Sequence, residues 1–194
     1  MTGGQAPTDS ALARRSAEGD ERAFTELVRR HKEPLYRLLR RYTGNPDDAY
    51  EAAQEAFIAA WSAIRRYDPD RPFLSWLRTI AINKARDRGR RAAFRRLIFG
   101  VDGLDETRAV AQPDPAALAD EVLSERQDMQ ELDRAVARLP AKLKEALLLT
   151  AFDGLSQQEA GEILRVSAKT IETRVYRARK ILAETLDPGL KPKA

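Results

Sequence analysis

Apolar residues recur along this chain at three- and four-residue intervals, and no segment alternates apolar and polar positions as a half-buried strand would. Phe24, Leu27, Val28, His31, Leu35, Leu38, Leu39 and Tyr42 fall on one face of a helix predicted from about Glu21 to Arg41. Pro34 lies inside that run and should bend it or remove a hydrogen bond. Gly44-Asn45-Pro46 should end it, with Asp47 or Asp48 capping the next helix. That helix should reach about Arg66 and turn Ala49, Ala53, Ala56, Phe57, Ala60, Trp61 and Ile64 inward. Its opposite side shows Glu51, Gln54, Glu55 and Ile58. A turn-rich loop, Tyr67 to Pro72, precedes a third long helix from Phe73 past Arg91, reaching Phe99. Phe73, Trp76, Leu77 and Ile80 make its buried stripe.

From Gly100 to Pro115 the chain is acidic and too poor in large apolar residues to bury much surface, so it reads as a linker. Helix resumes near Ala116 and continues to Leu139; Pro140 opens the next, which carries Leu143, Ala146, Leu147 and Thr150 to Phe152. Leu155-Ser156-Gln157-Gln158-Glu159 then starts a short helix, with Ser156 and Glu159 spaced as a capping box. Val166-Ser167-Ala168-Lys169-Thr170 starts another, capped by Ser167. Between them stands Arg165, where glycine would suit a positive φ. This is a helix-turn-helix pattern. The expected fold is all-α: two small helical domains joined by a flexible acidic linker, the C-terminal one a helix-turn-helix. The expected divisions are 1–19 (flexible leader and first short helix), 20–99, 100–129 (linker), 130–186 and 187–194 (fraying tail).

Charge sharpens this picture. The net charge of +4 is unevenly spread. Residues 71–99 carry nine Lys or Arg against one acid, Asp87, whereas residues 100–133 carry two against ten. Residues 134–194 return to twelve against seven. Two basic blocks flanking an acidic one favour a polyanionic partner over a mixed, solvated surface. With no cysteine and one histidine, thiolate zinc sites, disulfides and thiol nucleophiles are excluded. No apolar run approaches the roughly 20 residues of a membrane span, and the N-terminus lacks a signal-peptide pattern, so membrane insertion is not expected and the cytosol is the default location.

On the last helix Ile171, Val175, Ala178 and Leu182 share the inward face. Lys169, Thr173, Arg177 and Lys180 face away, with Thr170 and Arg174 at the edges. That sorting suits a recognition helix, whose first turns read base edges while flanking cations hold phosphates. On the helix from Phe73, Thr79, Asn83, Arg86 and Arg90 form a polar stripe, with Arg78, Lys84, Arg88 and Arg91 around it. Asn and Arg reach base edges as well as phosphates, and the adjacent loop could hold an unstacked base. Glu51 and Glu55 have no His or third acid converging on them, so they make a poor metal or acid/base site. His31, on an apolar face, reads as a packed core histidine.

These residues resemble the extracytoplasmic-function (ECF) sigma factors of bacterial RNA polymerase. Region 2 of that family is matched by Phe24 to Leu38, Asp48-Ala49-Tyr50-Glu51-Ala52-Ala53-Gln54-Glu55-Ala56-Phe57 with Trp61, and Arg71-Pro72-Phe73 through Trp76-Leu77 to Ile80-Ala81-Ile82-Asn83. Region 4 is matched by Leu139-Pro140, Lys144-Glu145-Ala146, Gly154-Leu155-Ser156, Glu159, Ile163-Leu164, Val166-Ser167, Thr170-Ile171 and Arg174 to Arg179.

The resemblance implies a transcription initiation factor with no catalytic residues, metal or cofactor. Its implied partners are core RNA polymerase, through the largest-subunit clamp helices and the flap region, promoter DNA and, by family habit, an anti-sigma factor. It implies cytoplasmic, nucleoid-associated action. Asp48, Glu51, Gln54, Glu55, Phe57 and Trp61 would dock on polymerase. Asp70, Arg71, Arg78, Thr79, Asn83, Arg86 and Arg90 would contact the −10 element, melting it and holding its non-template strand. Ser167, Lys169, Thr170, Thr173, Arg174 and Arg177 would read the −35 element. Tyr50 stands where an acid is usual, and Gly161 and Arg165 depart from common helix-turn-helix choices. Two other readings stay open: a repressor or activator using only the C-terminal helices, and a helical nuclease or phosphohydrolase.

Overall fold

The structure, a computed structural model, describes residues 6–99 and 131–186. The outermost leader, the acidic stretch with the helix expected from Ala116, and the tail lie outside these residues. Every regular element described is helical. The N-terminal half comprises α1 (Asp9–Ala17), α2 (Glu21–Thr43), α3 (Pro46–Ala63), which tightens into a 3₁₀ turn at Ile64–Arg66, and α4 (Phe73–Phe99). The C-terminal half comprises α5 (131–138), α6 (Ala141–Leu147), which widens into a π turn at Leu148–Phe152, α7 (Gln157–Leu164) and α8 (Ala168–Leu186).

Local signals explain most boundaries. Gly44 ends α2 at φ 75°, a left-handed cap that frees the chain to turn at once. The cap of α3 differs from expectation. Asn45, not Asp47 or Asp48, accepts from the backbone N–H groups of Asp47 (2.8 Å) and Asp48 (3.1 Å). Pro46 takes the first helical position because its missing N–H is unneeded there, which leaves the cap one residue earlier. Pro34 lies within α2 without ending it. Around the sharp α7–α8 turn, the capping box of Ser156 and Glu159 and the Ser167 cap on the Thr170 N–H both form. Arg165 adopts the left-handed conformation, φ 56°, ψ 49°, that the turn requires. Gly161 is fixed by close approach: a Cβ there would lie 2.7 Å from the Val166 carbonyl oxygen.

One core runs through both halves. Leu27, Leu35, Leu39, Ala52, Ala56 and Leu77 pack in the same buried cluster as Val136, Leu139, Leu147, Leu148 and Ala178. Ile82 of α4 leaves its own half and joins Ala146, Leu149, Ala160, Ile163, Leu164 and Ile171 in the helix-turn-helix core. Each buried Leu or Ile contributes about 1.5–3 kcal/mol. The two basic helices are therefore not held apart: the halves meet along a seam between α2 and α4 on one side and α5 to α7 on the other. Gly44 lies at this seam, where a Cβ would meet the Ala137 Cβ at 2.8 Å.

Candidate polymerase and nucleic-acid interfaces

Three surfaces carry the candidate residues. The first is the outer face of α3, where Asp48, Glu51 and Glu55 follow at helical spacing and so stand in one row. Arg88 of α4 gathers all three, donating to Glu55 Oε1 at 2.9 Å, Asp48 Oδ1 at 3.0 Å and Glu51 Oε2 at 2.6 Å. Partial burial disfavours the Arg88 charge, but the three carboxylates outweigh it and hold its pKa above the ordinary guanidinium value. Asp48 and Glu51 remain more than half exposed, so the row still presents negative charge outward. Gln54 is exposed, while Phe57 and Trp61 are half-buried, with Trp61 tilted against Phe24 at 5.0 Å between ring centroids. Tyr50 and Ile58 stand exposed beside the row. Arg88 is a functional candidate that the sequence places only among the cations around the α4 polar stripe.

The second surface is the 67–72 loop with α4. Tyr67, Phe73 and Trp76 form an aromatic cluster, with centroids 5.1–5.6 Å apart, that supports the loop from below. The Tyr67 hydroxyl donates to the Arg71 carbonyl, and the Asp70 N–H donates to Asp68 Oδ1 at 3.0 Å. Ser10 ties the loop to α1 through the Pro69 carbonyl at 3.1 Å. Asp70 and Arg71 project from this scaffold into solvent. His31 sits behind it, packed on Phe73 and bonded through Nε2 to Asp9 Oδ2 at 2.7 Å, the core role expected of it.

Along α4 the expected stripe divides. Asn83 and Arg90 are exposed, and Thr79 is half-buried with its hydroxyl donating to the Ser75 carbonyl. Arg78 is a correction: expected at the surface, it is buried, 9% exposed, with Nε 2.7 Å from Asp153 Oδ2. Arg86 turns toward the C-terminal half, where Nε donates to Glu145 Oε1 at 2.6 Å and Nη2 to Glu145 Oε2. The Glu145 side chain is wholly buried and also accepts from the Tyr42 hydroxyl at 3.1 Å. Beside it, burial pushes the Lys144 ammonium down to about 8, and Lys144 donates to the carbonyls of Tyr42 (2.9 Å) and Ala137. From sequence Glu145 enters only as part of the Lys144-Glu145-Ala146 match to region 4, with no partner assigned, and Asp153 does not enter at all.

The third surface is the start of α8. Ser167, Lys169, Thr170, Thr173, Arg174 and Arg177 together line one shallow open depression. Ser167 is held by its capping bond, Lys169 leans on Glu172 at 2.9 Å and Thr173 donates to the Lys169 carbonyl. Arg174 and Arg177 make no ion pair with another described residue. Ile171, Ala178 and Leu182 are buried on the opposite face, so the polar face is fixed outward. Among the described residues no cluster of three or more metal-ligating groups occurs, and no helix is long and apolar enough to cross a membrane.

This architecture has relatives. The family description Sigma-70 region 2 matches residues 27–95, and Sigma-70, region 4 matches residues 129–182. The RNA polymerase sigma factor CnrH of Cupriavidus metallidurans is 35% identical over 182 residues, covering 92% of this chain and 94% of its own. The ECF RNA polymerase sigma factor SigW of Bacillus subtilis is 31% identical, covering 87% of this chain and 91% of its own. The solved structure of CnrH in complex with the cytosolic domain of CnrY superposes with a TM-score of 0.67 at 33% identity, covering 94% of this chain and 99% of that one. With both conserved regions matched in order and full-length relatives above 30% identity, the chain belongs to the sigma-70 family as an ECF sigma factor, a factor that directs RNA polymerase to promoters.

Proposed function

We propose that the three surfaces divide the work of a sigma factor. The acidic row of α3 (Asp48, Glu51, Gln54 and Glu55, with Phe57 and Trp61) docks on the clamp helices of core polymerase, while the C-terminal half contacts the flap region. The 67–72 loop and α4, through Asp70, Arg71, Thr79, Asn83 and Arg90, capture the melted −10 strand, while Arg78 and Arg86 are engaged by Asp153 and Glu145. The α8 depression, through Ser167, Lys169, Thr170, Thr173, Arg174 and Arg177, reads the −35 duplex, guanidinium groups taking guanine edges or phosphates and hydroxyls taking phosphates. The domains are residues 20–99 and 130–186, with the acidic stretch between them. The chain supplies no reaction chemistry; polymerase does. It works with the polymerase in the cytoplasm, on the nucleoid. The complex of CnrH with CnrY supports a regulatory protein partner of the anti-sigma type here as well.

The observation that carries this reading is the depression at the start of α8. It gathers six polar or cationic side chains on a helix whose inner face is locked into the helix-turn-helix core. Gel filtration of the chain with purified core polymerase tests the docking half. At concentrations near the dissociation constant, wild type should co-elute with the polymerase and Glu55→Lys in a clearly smaller fraction, with circular dichroism unchanged. Equal co-elution of the two would remove α3 from the interface.

A further inference from the structure

We propose that Arg88 is a positioning residue for polymerase docking: from α4 it holds Asp48, Glu51 and Glu55 of α3 in one fixed array, so that the row meets the polymerase already ordered. The inference rests on the reading of that row as the docking surface.

Charge alone argues against an arginine at this place. A face that draws a cationic partner by its carboxylates is weakened by a cation among them, which cancels part of their field. Left to themselves, however, Asp48, Glu51 and Glu55 stand three and four residues apart on one helix, where like charges repel and the side chains swing apart into water. Arg88 reverses that tendency from below. Its side chain is 24% exposed, against 56% for Asp48 and 60% for Glu51, so the cation lies under the row and the carboxylates remain outermost. Because α3 and α4 pack directly on one another, the array is fixed by the body of the domain.

The bond pattern leaves the row able to bind. Arg88 Nη2 donates to Asp48 Oδ1 and Glu51 Oε2, and Nη1 donates to Glu55 Oε1. Each carboxylate thus commits one oxygen, and among the described residues no other hydrogen bond engages the second. Those second oxygens, Asp48 Oδ2, Glu51 Oε1 and Glu55 Oε2, are held in place to accept charge-assisted bonds from an incoming partner. Immobilising long side chains is a cost of association, and an array ordered in the free chain has already met it. The planar guanidinium spreads its donors over separate nitrogens, a geometry that the point-like ammonium of lysine does not reproduce.

Surface plasmon resonance of the full-length chain over immobilised core polymerase separates ordering from charge. Arg88→Ala should dissociate about tenfold faster, although loss of the cation leaves association as fast as in wild type or faster. Arg88→Lys, which keeps the charge but not the planar fork, should dissociate at a rate between the two, and it covers the case in which Arg88→Ala does not fold. Glu51→Gln should speed dissociation less in the Arg88→Ala background than in wild type, a coupling that an arginine serving stability alone would not produce. Unchanged or slower dissociation of Arg88→Ala, or an Arg88→Lys variant indistinguishable from wild type, overturns the inference. If Glu55→Lys dissociates no faster than wild type, the docking assignment of α3 falls and the inference with it. If Glu55→Lys is impaired while both Arg88 variants behave as wild type, the positioning role alone falls.

Discussion

The helices α4 and α8 read alike in sequence, each amphipathic with arginines on the polar side, yet the structure uses those arginines differently. On α4, Arg78, Arg86 and Arg88 each have carboxylate partners on other elements: Asp153 after the π turn, Glu145 of α6 and the α3 row. On α8, Arg174 and Arg177 border an open depression and pair with no other described residue. An arginine committed to a buried carboxylate sustains the fold and must be released before it can serve a ligand. One that faces water contributes little to stability and is ready to bind. On the proposed assignment, α8 is a preformed reader, whereas α4 is part reader and part joint.

Several substitutions separate these roles. The largest effect is expected for Arg174→Glu/Arg177→Glu, which should weaken binding to a duplex carrying the −35 element roughly 100- to 1,000-fold at fixed salt while leaving the melting temperature in place. Fluorescence anisotropy checks it, and an unchanged affinity would take the recognition role from α8. Next, Arg78→Ala should destabilise the fold by about 2–4 kcal/mol because the mostly buried Asp153 loses its one close ion pair. Arg174→Ala should stay within about 0.5 kcal/mol. Equal denaturation midpoints for the two would erase the contrast between the helices. Glu55→Lys should lower core polymerase affinity about tenfold, by reversing one charge of the docking row and repelling Arg88.

The seam should also respond to pH. Burial lowers the folded-state pKa of Lys144 to about 8, below its ordinary 10.5, so between these values the unfolded chain binds the proton that the folded chain releases. Stability should therefore rise with pH through that window, by about 1–2 kcal/mol between pH 8 and 10 once solvent screening is allowed for. Burial raises the Tyr42 phenol beside Glu145 above its ordinary 10.0, so this gain should reverse above about pH 10 as the unfolded tyrosine ionises first. Melting curves of wild type and Lys144→Met measure it; the variant should lose the rise. The smallest effect is local. Arg165→Gly should relieve the left-handed turn and stabilise region 4 by up to about 1 kcal/mol, visible as a small upward shift in melting temperature.

What could be read from the sequence follows the range of the interactions involved. The capping box at Ser156, the Ser167 cap, the inward row of α8 and the strained place of Arg165 depend on residues within a few positions, and spacing alone reveals them. Gly44 was legible for the same reason. The cap of α3 was misplaced by two or three residues because Pro46 shifts the whole start toward the N-terminus. The seam was illegible, since Arg86 and Glu145 are 59 positions apart and Tyr42 and Glu145 are 103 apart. No periodicity encodes such a pairing. For the same reason Arg78 and Arg88 looked like free cations, and Ile82 looked like one more residue of its own helix's core.

The measurement that bears most directly on the central claim is run-off transcription with purified core polymerase on a panel of promoters. The chain should confer initiation on a subset sharing two upstream elements, and Arg174→Glu/Arg177→Glu should abolish it without loss of core binding. Absence of specific transcripts on every promoter, or full output from that variant, would contradict the account.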